Sequence, residues 1–133
     1  TLGAQTAAEF MLEETIRYCR QREVFGKTLG AYQNTQFALA EMAAEVRIGR
    51  NFIDKLTVEH WRKETVVTDV SMAKFWITEM AYRVADRCLQ LFGGYGYCEE
   101  YPIARAWRDI RVTRILAGSN EIMKMIVGRE ITK

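Results

Sequence analysis

At 133 residues, 49% of them hydrophobic, the chain can bury one core covering roughly two-thirds of the surface its unfolded form exposes, so a single domain is expected. Its 19 basic and 17 acidic residues leave a net charge of +2, which excludes general attraction to nucleic acid or an anionic membrane surface. The 3 cysteines are widely separated and there is 1 histidine, a set that excludes a convincing zinc site or disulfide framework and fits a reducing, intracellular compartment.

No apolar run approaches the length of a membrane span. Pro102 is the single proline, interiors are rich in Ala, Met, Leu, Glu, Lys and Arg, and no segment alternates as a strand should. The expected fold is all-α: an antiparallel four-helix bundle with additional short C-terminal helices.

The first helix is predicted from Thr1 to about Gln21. Its inner face carries Ala8, Met11, Leu12, Thr15 and Cys19, and its outer side Glu9, Glu13, Arg17 and Arg20, with Glu13 and Arg17 expected to pair at i,i+4. Glu9, Glu13 and Glu14 are carboxylates of the kind a general base needs, but their spacing fits a solvated helical face and no chemistry is assigned to them. No clear N-cap and no methionine precede the pattern, so residue 1 is expected to fall inside a helix of a longer polypeptide.

The stretch from Arg22 to Gly30 breaks the helical pattern with two glycines and sets Arg22, Phe25 and Lys27 in one connection. Such a loop can hold a phosphate by a guanidinium fork and cover a flat ring with Phe25, or it can be a plain interhelical turn. Gln33 opens a second helix that runs to about Trp61 with two apolar rows. One is Phe37, Ala40, Ala44, Ile48 and Phe52; the other is Leu39, Met42, Ala43, Val46, Ile53 and Leu56. Packing on two sides is therefore expected. Gly49 costs about 1 kcal/mol relative to alanine in a helix interior, so its use is the close approach of another helix. His60 reads as a partner for the helix C-terminus rather than as a base.

Arg62 to Glu64 form a polar turn, and Thr65 is the expected N-cap of a third helix built on Val66, Val70, Ala73, Ile77, Met80, Ala81, Val84 and Cys88. The short turn makes the second and third helices antiparallel neighbours. The third helix ends at Gln90-Leu-Phe-Gly93-Gly94-Tyr-Gly-Tyr97, where the glycines suit a helix C-cap and equally suit backbone N–H groups presented to a phosphate. After Pro102 a shorter helix carries Arg105, Arg108, Arg111 and Arg114, read as a solvated or interface stripe beside Asp109. Gly118-Ser119 then caps a last helix with Ile122, Met123, Ile126 and Val127 on its apolar side. Its N-terminus offers N–H groups to an anion or a carbonyl oxygen.

Taken together, Arg22-x-x-Phe25-Gly26, Gln33, Gln90-Leu-Phe-Gly-Gly-x-Gly-Tyr97, Arg108-Asp109 and Ala117-Gly-Ser-Asn-Glu-Ile122 resemble the C-terminal helical domain of the acyl-CoA dehydrogenase family, with the motifs in the family's order and spacing over essentially the whole chain. The resemblance implies a longer protein with an N-terminal helical domain and a middle β domain before this one. It implies a flavoenzyme that holds FAD at a subunit interface of a homodimer or homotetramer and passes electrons to an electron-transfer flavoprotein. The implied compartment is bacterial cytoplasm or mitochondrial matrix. Arg22, Phe25 and Gln33 would meet the pyrophosphate and adenine side of FAD. Gln90 and the Gly93-Gly94 turn would bind that FAD from a different subunit than the one holding the flavin ring. Ser119 and Glu121 match positions that contact the flavin of the chain's own subunit, Glu121 often corresponding to a glutamine, and Arg129 matches an arginine near the substrate.

The implied chemistry is α,β-dehydrogenation of an acyl-CoA thioester, in which a glutamate removes the α-proton and the β-hydrogen leaves as hydride to the flavin. The backbone N–H of Ala117, before Gly118, matches a donor to the developing enolate oxygen. In many members the glutamate base itself stands at the position of Ala117, and alanine cannot take a proton. The Glu9-Phe-Met-Leu-Glu-Glu-Thr15 region is most similar to the long-chain branch, in which the base lies on an earlier helix, so it is expected upstream of Thr1. Two other readings stay open: a non-catalytic oligomerisation or binding module that lost its base, and an acyl-CoA oxidase.

Overall fold

The computed structural model describes residues 1–64 and 67–133, so the expected N-cap Thr65 and the helical position Val66 lie outside the described residues. Helix forms where the sequence supplies an apolar stripe and few interruptions: α1 spans Leu2–Gln21, α2 Gln33–Trp61, α3 Val67–Phe92, α4 Pro102–Ile110 and α5 Asn120–Ile131. Pro102 stands in the first turn of α4, where its missing N–H costs nothing. Short 3-10 turns follow at Leu29–Ala31, Gly93–Tyr97 and Arg111–Arg114.

Among the described residues the fold is all-α apart from one small hairpin. Between α1 and α2, β1 (Glu23–Val24) and β2 (Lys27–Thr28) pair antiparallel, with Glu23 opposite Thr28 and Val24 opposite Lys27. Two-residue strands are too short to show alternation in sequence. The turn instead relies on left-handed backbone at Phe25 (φ 49°) and Gly26 (φ 81°).

At the centre lies α3, packed against α1, α2, α4 and α5. Met80, Ile77, Val84 and Cys88 on α3 are fully buried together with Met11 of α1, Met42 of α2 and Ile103 of α4. Burial pushes the thiols of Cys19 and Cys88 up to about 11, so both stay protonated inside the core. The antiparallel run of α2 and α3 is marked by cross-helix ion pairs, Glu41 with Arg87, Glu45 with Arg83 at 2.9 Å and with Arg87 at 3.6 Å, and Asp69 with Lys55 at 2.8 Å. As expected, Gly49 lies at a close approach: a Cβ there would fall 2.2 Å from Gln5 Oε1 of α1 and 3.0 Å from Met80 Cε of α3.

Several expectations are corrected. Arg17 pairs with Glu14 at 2.8 Å (i,i+3), not with Glu13. Glu9 is not a free surface carboxylate, because Arg50 Nε donates to it at 2.7 Å and Gln5 Nε2 at 2.9 Å. Only one apolar row of α2 is buried within the chain, that of Met42, Val46, Ile53 and Leu56, whereas Phe37 and Ile48 of the other row are each 58% exposed. Val70 and Ile122 are exposed as well. The arginine stripe does not lie on one helix, since α4 ends at Ile110. Arg108 pairs with Glu99, Arg114 pairs with Glu79, and the Arg111 and Arg114 guanidinium groups lie over the Tyr82 ring.

The glycine contacts predict opposite outcomes at two helix interiors. Gly49→Ala is expected to lower stability by about 1–3 kcal/mol despite its gain in helix propensity, because the new methyl displaces a buried Gln5 that donates to Val46 O at 2.8 Å. Gly128→Ala, with nothing within 4 Å of its Cβ position, is expected to raise stability by about 0.5–1 kcal/mol. Thermal unfolding of the two variants checks both signs.

A second prediction concerns acid. The Arg50 guanidinium holds the Glu9 carboxyl below its ordinary value of 4.5, with the Gln5 amide adding to the effect against a cost of burial. A depressed carboxylate contributes stability above its unfolded pKa and loses it as pH falls through the folded pKa. Glu9→Gln should therefore cost about 1 kcal/mol near neutrality, after allowance for solvent screening, and almost nothing once the pH lies below both values. Denaturant midpoints measured at pH 7 and pH 3 test the convergence.

Candidate functional site

At the C-terminal end of α3 a groove of about 520 Å³ opens between α1, the β-hairpin and the Gly93–Tyr97 turn, lined by Tyr18, Arg22, Leu29, Gln90, Gly93 and Gly94 among others. Two sequence motifs far apart in the chain meet here. Arg22 arrives as the last residue before the hairpin, its N–H bonded to Tyr18 O at 2.8 Å and its carbonyl accepting from Leu29 N at 2.7 Å. Gln90 sits in the last turn of α3 and is exposed. The floor is aromatic: Tyr18 stacks on Phe92 with ring centroids 4.1 Å apart, its hydroxyl donates to Phe92 O at 3.4 Å, and Tyr101 packs edge-on against both rings.

The glycines of the turn have different reasons to be there. Gly93 takes φ 61°, which a side chain disfavours. A Cβ on Gly96 would fall 2.5 Å from Leu89 O, so packing within the chain forbids it. Gly94 has neither reason, with no atom within 4 Å of its Cβ position and no positive φ. Beside it, the Arg22 guanidinium lies 5.1 Å from the centroid of the Tyr95 ring and pairs with no carboxylate among the described residues. A cation without a counter-ion next to bare backbone is suited to an anion such as a phosphate.

Phe25 and Gln33 do not line this groove. Phe25 stands fully exposed at the hairpin tip, and Gln33 is exposed in the first turn of α2. The hairpin itself is held by the Tyr32 hydroxyl, which donates to Val24 O at 2.6 Å, and by Lys27 Nζ, 4.0 Å from the Tyr32 ring centroid.

The remaining candidates gather at a second place, where the chain turns into α5. Ala117 (φ 54°) and Gly118 (φ 86°) form a left-handed pair. The Ala117 N–H donates to no backbone carbonyl among the described residues. Ser119 occupies the N-cap of α5, but its hydroxyl makes no hydrogen bond to the helix backbone. The Glu121 carboxyl is held below the usual carboxylate range, first by its own backbone N–H and then by the Ser119 hydroxyl. Arg129 is exposed near the end of α5.

What holds this turn went unassigned in the sequence. Asn120 is 1% exposed, and its Oδ1 accepts from Lys74 Nζ at 2.8 Å and from Thr78 Oγ1 at 3.1 Å. Its Nδ2 donates to Glu79 Oε1 at 3.0 Å, an oxygen that also accepts from Arg114 Nε at 2.9 Å. Burial lowers the Lys74 pKa, opposed by the nearby charges of Glu121 and Glu79. The available signal was a lysine among Ala73, Ile77 and Ala81 on the apolar side of α3. The groove and the α5 turn contact different parts of α3, Gln90 and Thr78 being about 18 Å apart along the axis at 1.5 Å per residue.

Comparison with known proteins places this arrangement. A family model described as acyl-CoA dehydrogenase, C-terminal domain, matches residues 1–132. The mitochondrial long-chain specific acyl-CoA dehydrogenase of Sus scrofa is 47% identical over 128 residues, which are 96% of this chain and 30% of that relative. Among solved structures, an acyl-CoA dehydrogenase from Geobacillus kaustophilus superposes with a TM-score of 0.96 at 55% identity, covering 98% of this chain and 34% of that one. The FAD complex of PigA superposes with a TM-score of 0.87 at 26% identity, covering 94% of this chain and 33% of that one. The chain thus spans about a third of the length of these relatives. With a match across nearly all its residues and the helical architecture in common, this chain belongs to the acyl-CoA dehydrogenase family and corresponds to its C-terminal domain.

Proposed function

We propose that this chain is the C-terminal helical domain of a longer flavoenzyme that dehydrogenates acyl-CoA thioesters between their α and β carbons, and that the domain contributes FAD binding and subunit contacts. The observation that carries the reading is the convergence of Arg22 with Gln90, Gly93 and Gly94 in one groove. A diphosphate fits what is there: a guanidinium with no carboxylate partner, a glycine that nothing within the chain requires, and a volume within the range of about 300–1,000 Å³ typical of ligand sites. Phe25 and Gln33, which lie outside the groove, are assigned to the adenine end from the family resemblance alone. Ser119 and Glu121 are assigned to the flavin of the chain's own subunit, and Arg129 to the substrate region. That the two groups lie on separate parts of α3 supports service to two flavins in a homodimer or homotetramer. The exposed α2 row of Phe37 and Ile48 is suited to subunit contact.

FAD, when bound, supplies the acceptor for the β-hydrogen as hydride. This chain's part in the reaction is electrostatic. The unengaged Ala117 N–H is suited to donate to the thioester carbonyl as negative charge develops on its oxygen. The Ala117 methyl cannot accept the α-proton, so the base is a carboxylate outside this chain, upstream of Thr1. The electrons leave to an electron-transfer flavoprotein, and the compartment is a bacterial cytoplasm or mitochondrial matrix. No helix of the described residues is long and apolar enough to cross a membrane.

Two experiments test this reading. Gly94→Ala should leave the thermal midpoint unchanged, since its Cβ meets nothing, and should weaken flavin retention by the full-length protein about tenfold, equivalent to ~1.4 kcal/mol. Unaltered flavin content would remove the groove from the FAD site. The full-length protein, assayed with an artificial electron acceptor across a ladder of acyl-CoA chain lengths, should be active and lose activity when the upstream glutamate is replaced, while the isolated domain stays inert. Inactivity on every thioester with flavin still bound would favour a non-catalytic module, and turnover with oxygen alone an acyl-CoA oxidase.

A further inference from the structure

We infer that Lys74 and Asn120 are positioning residues, their buried hydrogen bond fixing the left-handed Ala117–Gly118 turn on α3 and so setting where the Ala117 N–H points. The inference rests on the proposed role of that N–H as a donor to the thioester carbonyl.

Little else holds the turn. Ile115 and Leu116 are 58% and 56% exposed, Ala117 is exposed, and the Ser119 hydroxyl gives α5 no cap. The exposed stretch leaves α3 at Arg114 and returns to it at Asn120, and both stems are tied to the same helix. Arg114 enters through Glu79 Oε1, and Asn120 through Lys74, Thr78 and that same Glu79 oxygen. Asn120 is partnered on every side: Oδ1 accepts from Lys74 at 2.8 Å and lies 3.1 Å from the Thr78 hydroxyl, whose one proton Lys74 O at 2.9 Å also competes for, while Nδ2 donates to Glu79 and, at 3.5 Å, to Phe75 O. A satisfied amide at 1% exposure admits one orientation. Loss of one donor leaves a buried acceptor unpaired and frees the side chain to turn.

The chemistry of Lys74 sets it apart from ordinary core filling. It is 7% exposed and reaches no carboxylate within 4 Å among the described residues, so its ammonium is desolvated for a single neutral acceptor. An apolar side chain would fill the same space without that cost. What the ammonium adds is a donor aimed at Asn120 from a rigid helix. Catalytic groups lose effectiveness steeply when displaced by about 1 Å, and here the reacting donor sits three residues before the anchored amide.

The test uses the full-length flavoprotein carrying Lys74→Met, which keeps the aliphatic stem and removes the donor. The expected result is a fall in kcat of about 10- to 100-fold with a smaller change in KM, flavin content retained, and faster amide hydrogen exchange across residues 115–121 but not across α3. Lys74→Arg, which keeps a donor, should recover part of kcat and part of the protection. Thr78→Val removes one bond to Asn120 without touching the charge and should show the same pattern more weakly, which covers the case in which Lys74→Met does not fold. Unchanged exchange at 115–121 in the folded variants would overturn the inference, as would a lowered thermal midpoint with kcat intact. If the unmutated full-length protein proves inactive, the proposed function fails. Unchanged exchange would then still sink the anchoring, and increased exchange would uphold it apart from any role in catalysis.

Discussion

The structure depends on covering α3. Its 26 residues carry apolar side chains around most of the circumference, and a helix of that kind is stable in water only when neighbours remove those faces from solvent. α1, α2, α4 and α5 do so, and each contact fixes something outside the core. The α2–α3 pairing brings Glu41, Glu45 and Lys55 opposite Arg87, Arg83 and Asp69. α1 against α3 sets Tyr18 on Phe92, which makes the groove floor. α5 against α3 buries Asn120 and with it one end of the exposed turn.

Both proposed functional places lie where that coverage stops. At the C-terminal end of α3 the helix gives way to glycines, and α1 ends beside it at Arg22, so a cation and bare backbone share an open groove. Near the N-terminal half of α3 the chain leaves at Arg114, exposes Ala117 and Gly118, and returns at Asn120. Both places set flexible or strained backbone on a rigid helix, which is how a small domain holds a ligand-facing geometry without spending its core on it.

The electrostatics divide along the same lines. Along the helix seams, charges are matched: Glu9 with Arg50, Lys55 with Asp69, Arg114 with Glu79. At the groove Arg22 has an aromatic ring for company and no carboxylate, and Lys74 is buried against an amide oxygen. The exposed row of α2, with Phe37 and Ile48, is the counterpart in apolar surface: coverage that this chain alone does not complete.

The sequence determined the elements. The 3.6-residue spacing of apolar side chains, the scarcity of proline and the breaks near Gly26 and Gly93 mark α1, α2 and the C-terminal end of α3 within a residue or two of their observed bounds, because these are local constraints on backbone and burial, whereas α4 stops at Ile110, short of the arginine stripe read as one helix. The motif glycines and Arg22 were also legible, as residue types whose freedom or charge has few other uses. The hairpin at 23–28 was not, because two-residue strands carry no alternation. The partners were decided only by the tertiary structure: Glu14 rather than Glu13 for Arg17, Arg50 for Glu9, and Asn120 for Lys74. A charged side chain shows its reach in the sequence but not its neighbour, since that depends on which helix face arrives opposite and at what height. The same holds for the glycines, where only packing separates Gly96, which the chain requires, from Gly94, which it leaves bare.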